Sequence, residues 1–338
     1  MSYEKKIEEL IAIIDREKRL FIQTHNYPDH DAVAAAYGLH YILKQRGIIS
    51  VPCYSGEIQS VSLNDVIERL KIPIEHFASY RMHEGDQIIL VDGFMGNRNM
   101  ETLPGEEIAV IDHHIPPEEP RCRFSDIRVG YGACSTIIYE YAKHAGVELN
   151  TYVATALLTG IMMDTAFLSR GVSENDLEAF TCLYKLGDWS IGSYMLKNSL
   201  STSDIEVYRE AFSSFRVMDD ICFVFLKRQI SSELMGILAD DFLRMREIHV
   251  TIVCAESENG YKISVRSEDD NRPAGPVVKK ALEGIGSGGG HMHMGGGSIE
   301  TSGRSEPIRP VNEIIPRFLN ALAIYLEKSE NGGKDGGK

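Results

Sequence analysis

Short unbroken apolar runs alternate along the chain with longer stretches in which apolar residues recur at helical spacing. Ile7, Leu10, Ile11 and Ile14 have that spacing, and residues 20–25 (Leu20 to His25) read as a short buried strand. After the polar turn around Pro28, residues 32–46 are rich in alanine, leucine and tyrosine and stop at Gly47, which predicts a helix with a glycine C-cap. The strand pattern returns at 87–92 and at 107–112, each time as an apolar run ending in aspartate. Continuous apolar strands alternating with helices imply a parallel sheet covered on both faces. Further helices are predicted over 136–145, 152–163 and 174–186, the last stopping near Gly187.

The polar and glycine-rich stretches divide this pattern. A first domain is expected over 1–190, and the serine-rich residues near 196–204 suit a connector, drawn here as 191–204. Strand-like composition at 222–226, 249–255 and 261–265, followed by a glycine-dense loop at 286–297, predicts a second, smaller α/β domain over 205–326. Residues 327–338 are too polar and glycine-rich to pack and are expected to be a disordered tail. The fold class is therefore α/β: a doubly wound, mainly parallel sheet followed by a smaller α/β domain.

Composition narrows the function classes. The 338 residues leave room for two domains, and 43% hydrophobic with 25% charged residues is ordinary for a folded protein. The net charge of −14 argues against a broad basic surface, so long duplex nucleic acid is not expected as a partner. A short or mononucleotide ligand stays compatible with it, because a local cationic pocket can sit on an acidic protein. No apolar run approaches the roughly 18 residues of a membrane span, so no membrane partner is expected and the cytoplasm is the expected location. The six cysteines lie far apart without a CxxC pair, which fits reduced, mostly buried thiols.

Candidate chemistry is concentrated at the strand ends. His25, Asp29 and Asp31 fall within seven residues where a strand ends and a helix begins. Asp92 and Asp112-His113-His114 end the other two apolar strands, and Asp164 follows a largely apolar helix, where an uncompensated charge would be costly. Loops at the carboxyl ends of strands in a doubly wound sheet converge on one crevice. Asp29, Asp31 or Asp112 taken singly suits a turn or a helix N-cap. Capping does not require histidine beside carboxylate at successive strand ends, however. Together these residues are too many for one tetrahedral zinc and suit two six-coordinate ions. Oxygen-rich sites with imidazole favour Mn²⁺ or Mg²⁺, and such a pair supports phosphoester hydrolysis.

His25-x-x-Pro28-Asp29-x-Asp31-Ala32, Val91-Asp92, Asp112-His113-His114 and Asp164-Thr165 occur in an order that resembles the DHH phosphoesterase superfamily, over most of the chain. The resemblance implies one divalent cation on His25, Asp29 and Asp92 and a second on Asp31, Asp92, His113 and Asp164, with Asp92 bridging. It implies His114 as a donor or proton relay at the scissile phosphate, with Asp112 orienting the neighbouring histidine. The two cations would be Mn²⁺, with Mg²⁺ or another divalent metal as alternatives.

Residues 286–297 resemble the glycine-histidine motif of the DHH-associated C-terminal domain, which makes Gly289, Gly290 and His291 substrate-binding candidates. Composition alone also fits a flexible linker. Arg266, ending a strand just upstream, resembles the family's phosphate-gripping arginine, a role suited to a guanidinium fork. Three departures stand out. Ala34-Ala35-Ala36 replaces a frequent glycine-serine, Ala166 stands where glycine often follows Asp-Thr, and Met294-Gly295 replaces paired alanines. His30 and His293 are expected to be solvated or to lie behind the ligands, and Trp189 to pack at the connector.

What the resemblance implies for function is a two-metal phosphodiesterase that degrades short oligoribonucleotides from an end, in a cleft between the two domains. Phosphate removal from 3′-phosphoadenosine 5′-phosphate is a companion activity of the same branch, and a homodimer through the first domain is implied as well. The rival readings are a cyclic or linear dinucleotide phosphodiesterase, an inorganic pyrophosphatase, which the glycine-histidine motif weakens, and a non-catalytic nucleotide sensor.

Overall fold

The computed structural model describes residues 5–58, 60–96, 99–116, 118–197, 200–290, 292–301 and 310–332. The chain forms two compact units, Met1–Ser199 and Leu200–Lys338. The first holds β1 (Leu20–Gln23), β2 (Val51–Tyr54), β3 (Glu75–His76), β4 (Gln87–Val91), β5 (Glu106–Asp112) and β6 (Phe124–Ile127). They lie in the order β3-β2-β1-β4-β5-β6, every neighbouring pair parallel. All of β4 is buried, as a strand covered on both faces must be. The strand order reverses between β1 and β4, and the crevice beyond their carboxyl ends is where such sheets bind ligands.

The helices of this unit are α1 (Lys6–Ala12), α2 (His30–Gln45), α3 (Val61–Leu70), α4 (Cys134–Ala145), α5 (Thr151–Asp164), α6 (Glu174–Leu186) and α7 (Trp189–Lys197). Small side chains let α2 sink into this core. Ala34, Ala35 and Ala36 are buried, and a Cβ on Gly38 would lie 2.7 Å from Ile138 Cγ2 and 3.0 Å from Leu157 Cδ2. The alanine run is thus a packing surface rather than part of a ligand loop. Trp189 packs against the same core, its ring 5.9 Å from that of Tyr184.

In the second unit the strands are β7 (Arg216–Met218), β8 (Ile221–Leu226), β9 (Val250–Ser257), β10 (Gly260–Ser267), β11 (Gly286–Gly290) and β12 (Met294–Glu300), ordered β11-β12-β10-β9-β8-β7. Only β8 and β9 run parallel. The helices α8 (Ile205–Ser214) and α9 (Ser232–Leu243) pack on the face carrying Cys222, Val224 and Val253, while α10 (Ala274–Ala281) and α11 (Pro310–Gly332) cover Phe223, Ile252 and Ile263.

The structure bears on three expectations. Residues 286–297 are not a loop: β11 and β12 form an antiparallel hairpin at the sheet edge. Glycine is a poor strand former in general, but α10 lies so close that a Cβ on Gly288 would be 2.4 Å from Val278 Cγ1, and one on Gly297 2.4 Å from Leu282 Cδ1. The expected connector, 191–204, holds the body of α7 and a 3-10 turn at Thr202–Asp204, and the boundary between the two units, Ser199 to Leu200, falls within it. Of the expected tail, 327–338, residues up to Gly332 are helical, because extending a formed helix through Glu327 and Lys328 costs little once its first turns are packed, and 333–338 lie outside the described residues.

A buried ion network anchors the β6 edge. Arg128, with a side chain 1% exposed, donates from Nε to Asp126 Oδ1 at 3.0 Å and from Nη2 to Asp126 Oδ2 at 2.7 Å, and also pairs with Glu140. Tyr141 donates its hydroxyl to the same Asp126 at 2.8 Å. Asp126→Ala strands Arg128 without its bidentate partner and should cost about 3–5 kcal/mol in urea unfolding. A loss below about 1 kcal/mol would show that Glu140 alone suffices.

Candidate metal centre

The loop after β1 supplies the first group of ligands. His25 donates from Nδ1 to the Asn26 carbonyl at 2.8 Å, which turns Nε2 toward Asp29 Oδ2 at 3.9 Å and Asp92 Oδ2 at 3.7 Å. Asp29 is also the N-cap of α2: its Oδ1 accepts from Asp31 N and Ala32 N, both at 3.0 Å. Capping thus occupies one oxygen and leaves the other facing His25. Asp92 follows β4 with φ +56° and is buried, and its Oδ1 has no hydrogen-bond donor among the described residues.

A second group gathers on His113. Its Nδ1 donates to the Tyr131 carbonyl at 3.0 Å, and its Nε2 lies 3.1 Å from Asp164 Oδ2, 3.4 Å from Asp92 Oδ1 and 4.0 Å from Asp31 Oδ2. Asp31 is fully buried and accepts from Cys134 N at 2.6 Å and Ser135 N at 2.9 Å. Those are the first amides of α4, whose N-cap position, Ala133, has no side chain to offer. Gly160 on α5 leaves the room: a Cβ there would stand 2.8 Å from Asp31 Oδ1.

Asp112 lies behind these groups. Its Oδ1 accepts from His113 N at 2.6 Å, His114 N at 2.9 Å and His114 Nδ1 at 2.6 Å, so it orients His114 directly and His113 through the backbone. His30 is not solvated; it is buried, with Nε2 3.1 Å from Ser62 Oγ.

The donor set fits divalent cations with a preference for oxygen. His25, Asp29 and Asp92 bring one ligand atom each within 4.8 Å of one another, and so do Asp31, His113 and Asp164. Both imidazoles are held through Nδ1, which presents Nε2 outward. Cys134, the buried thiol nearby, instead donates from Sγ to the Ile111 carbonyl at 3.5 Å.

Burial and mutual repulsion set the charges here. Burial, with the charges of Asp92 and Asp164, holds the Asp31 carboxyl well above its usual range. Burial also pushes Asp164 up to about 6, against the pull of His113. Asp92 goes the other way: burial opposes its ionisation, but His113, His114 and His25 outweigh it and keep the carboxylate well below the usual range. Burial disfavours the imidazolium of His114, yet the bond to Asp112 and the charge of Asp92 lift it to about 9. His113 is raised likewise, by Asp164 and Asp92 against burial.

Residues 19–161 match the DHH family, N-terminal domain, and residues 219–327 match the DHHA1 domain. The chain belongs to the DHH family. An uncharacterized protein of Methanocaldococcus jannaschii is 28% identical to this DHH-family chain over 293 residues, which make up 86% of this chain and 59% of that protein. A probable manganese-dependent inorganic pyrophosphatase of Streptococcus thermophilus is 28% identical over 160 residues, 44% of this chain and 49% of that protein. The chain thus spans about half to three fifths of the length of these curated relatives. The crystal structure of an exopolyphosphatase-related protein from Bacteroides fragilis shares the fold, with a TM-score of 0.74 at 19% identity, covering 95% of this chain and 96% of that one.

The DHHA1 part holds the remaining candidates. Arg266 on β10 donates to Asp240 Oδ2 at 3.2 Å and Ser264 Oγ at 3.3 Å, and Gly236 makes way for it, since a Cβ there would be 2.7 Å from Nη2. Ser264, Gly296 and Gly289 form one cross-strand row next to it. A Cβ on Gly289 would meet nothing within 4 Å, whereas Gly290, at φ +138°, is packed against Gly275 and Met294. Gly289 therefore lies on an open face and Gly290 serves the hairpin. His291 lies outside the described residues. His293 binds the Ser267 carbonyl at 3.0 Å through Nδ1.

What sequence reading missed is the backbone. The Tyr131 and Asn26 carbonyls and the Cys134 and Ser135 amides orient three candidate ligands without any side-chain signature. The only hint was Gly130-Tyr131-Gly132, a turn signal just before α4.

The titration pattern predicts a pH dependence for the protein with divalent ions chelated. His114 binds its proton more tightly folded than unfolded, so its stabilising contribution is complete below about pH 6.5 and is lost as pH rises through about 9. The raised Asp164 carboxyl acts in the same direction, its adverse contribution being fully developed above about pH 6. The thermal midpoint of the chelated protein should therefore fall between about pH 6.5 and about pH 9 through His114, and less so in His114→Gln, while the fall due to Asp164 lies below about pH 6. A midpoint that rises over that window would refute the clustering.

Proposed function

We propose that this DHH-family chain is a two-metal hydrolase of phosphoester bonds, manganese-dependent, whose substrates are short oligoribonucleotides, with 3′-phosphoadenosine 5′-phosphate as a second substrate. The observation that carries this reading is the gathering of His25, Asp29, Asp31, Asp92, His113 and Asp164 at one switch point, with Asp92 common to both groups. His25, Asp29 and Asp92 would hold one cation, and Asp31, Asp92, His113 and Asp164 the other. Bound there, the pair supplies Lewis acidity toward a water and toward the phosphoryl oxygens.

The chain's own residues do the rest. Asp92, within reach of both His25 and His113, would be the carboxylate shared by the two cations, whose charge would keep it ionised. His114, fixed through Nδ1 by Asp112, donates to the scissile phosphate or its leaving oxygen. On the DHHA1 part, Arg266 and the open row at Gly289 suit the phosphate and sugar of a short chain. The net charge of −14 favours short substrates over long polyanions. The Streptococcus thermophilus relative is a probable manganese-dependent inorganic pyrophosphatase, which supports manganese as the metal here.

The test is a hydrolysis panel with Mn²⁺ on RNA dinucleotides, longer RNA, 3′-phosphoadenosine 5′-phosphate, cyclic dinucleotides and pyrophosphate. Short RNA should be preferred, and Asp92→Ala should lower turnover by about a hundredfold or more while circular dichroism is unchanged. Mn²⁺ should raise the thermal midpoint of the wild type and fail to do so in Asp92→Ala. Selective cleavage of cyclic dinucleotides would replace the substrate, and tight nucleotide binding without turnover would mark a sensor.

A further inference from the structure

Two aromatic residues in the ligand-bearing loops sit in backbone conformations that bulky side chains rarely adopt. Tyr27, two residues after His25 and two before Asp29, has φ +57° and is 55% exposed. Phe167, three residues after Asp164, has φ +60° and is 47% exposed, and it is the middle of three consecutive left-handed residues, Ala166, Phe167 and Leu168. Non-glycine residues at positive φ are uncommon, and for a bulky side chain such a residue is an outlier. Strain of this kind clusters at functional sites, where the surroundings over-determine it.

The surroundings do so here. Phe167 N donates to the Met162 carbonyl at 2.7 Å, Leu168 N to Thr165 Oγ1 at 3.1 Å, and Ser169 N and Arg170 N to the Thr165 carbonyl, both at 3.0 Å. Thr165 itself is fully buried and Leu168 packs on the core, so the turn is pinned from inside while the Phe167 ring is turned out. Tyr27 N reaches the Ser55 carbonyl at 3.4 Å. Ile115, next to His114, adds a third exposed apolar side chain, at 78%. Each follows a candidate ligand or His114 so closely that its Cα lies within about 11 Å of that residue's Cα.

We infer that Tyr27 and Phe167 form an aromatic rim at the mouth of the metal centre that stacks the nucleobase beside the scissile phosphate. This rests on the hydrolase reading above and names the side chains that recognise the base of its nucleotide substrates. Exposed rings beside a polar, phosphate-binding centre are costly in water and serve a ligand whose phosphate is charged and whose neighbouring group is flat and aromatic. A phosphate-only substrate such as pyrophosphate offers them nothing.

The test is equilibrium binding, which needs no turnover: calorimetric Kd values for adenosine 5′-phosphate and ribose 5-phosphate with Mn²⁺ present. The wild type should bind the nucleotide at least about fivefold more tightly than the sugar phosphate. Phe167→Ala should bring that ratio toward one, Tyr27→Ala should lower it, and Phe167→Tyr should keep it. Phe167→Leu preserves bulk without an aromatic face and must also lower the ratio, which covers an alanine variant that fails to fold. A wild-type ratio near one, or an equal loss for both ligands in the variants, overturns the rim. Failure to hydrolyse any phosphoester, with the ratio intact, overturns the hydrolase reading and leaves the rim as part of a nucleotide-binding site.

Discussion

Asp31, Asp92 and Asp164 converge on one imidazole, His113, where little water reaches them. Like charges brought together in a poorly solvated place repel one another and lose hydration, so the fold must supply compensation at each carboxylate. It does so differently at each. Asp31 is held by the first two amides of α4, at the positive end of that helix dipole. Asp29 takes the same kind of bond from the start of α2. Asp92 Oδ1 has no hydrogen-bond donor among the described residues, and the imidazoles around Asp92 offset its burial. The loops after β1, β4 and β5 converge because the parallel strand order reverses between β1 and β4, so the topology is what makes this convergence of charge unavoidable.

The segment from Arg128 to Ser135 turns that demand into geometry. It contributes no candidate ligand side chain, yet it presents the Tyr131 carbonyl to His113 and two amides to Asp31. The Arg128 network with Asp126 and Glu140 fixes one end of it. Asp176 fixes the other, accepting from Gly132 N at 2.8 Å and from the Thr136 hydroxyl. A side chain at Gly132 would strike Thr165 Cγ2 at 2.7 Å, so the segment also interlocks with the turn after Asp164. Buried ion groups far from the phosphate chemistry thereby set the direction in which His113 points.

The parallel strands and the candidate ligands of the first unit could be read from the sequence because each signal there is local: an apolar run, then an aspartate or histidine where the run stops. What stayed hidden depends on partners distant in sequence. The strand β3 has two residues, too few for a pattern. Gly160 reads as a weak point in a helix and is in fact the space Asp31 occupies. Ala166, where resemblance suggests glycine, takes the left-handed conformation anyway, at φ +46°, because its turn is pinned by Thr165.

The glycine-dense hairpin shows why composition alone misleads. Of its residues, Gly288 and Gly297 are glycine because α10 lies against them, whereas Gly289 and Gly296 have room above them. One face of β11 and β12 is thus spent on packing and the other left as exposed backbone beside Arg266. A flexible linker has no reason to alternate in this way, since neither face of it has a neighbour. The alternation requires a rigid strand pair with one face committed to the core, and that rigidity lets the open face present its backbone in a fixed position.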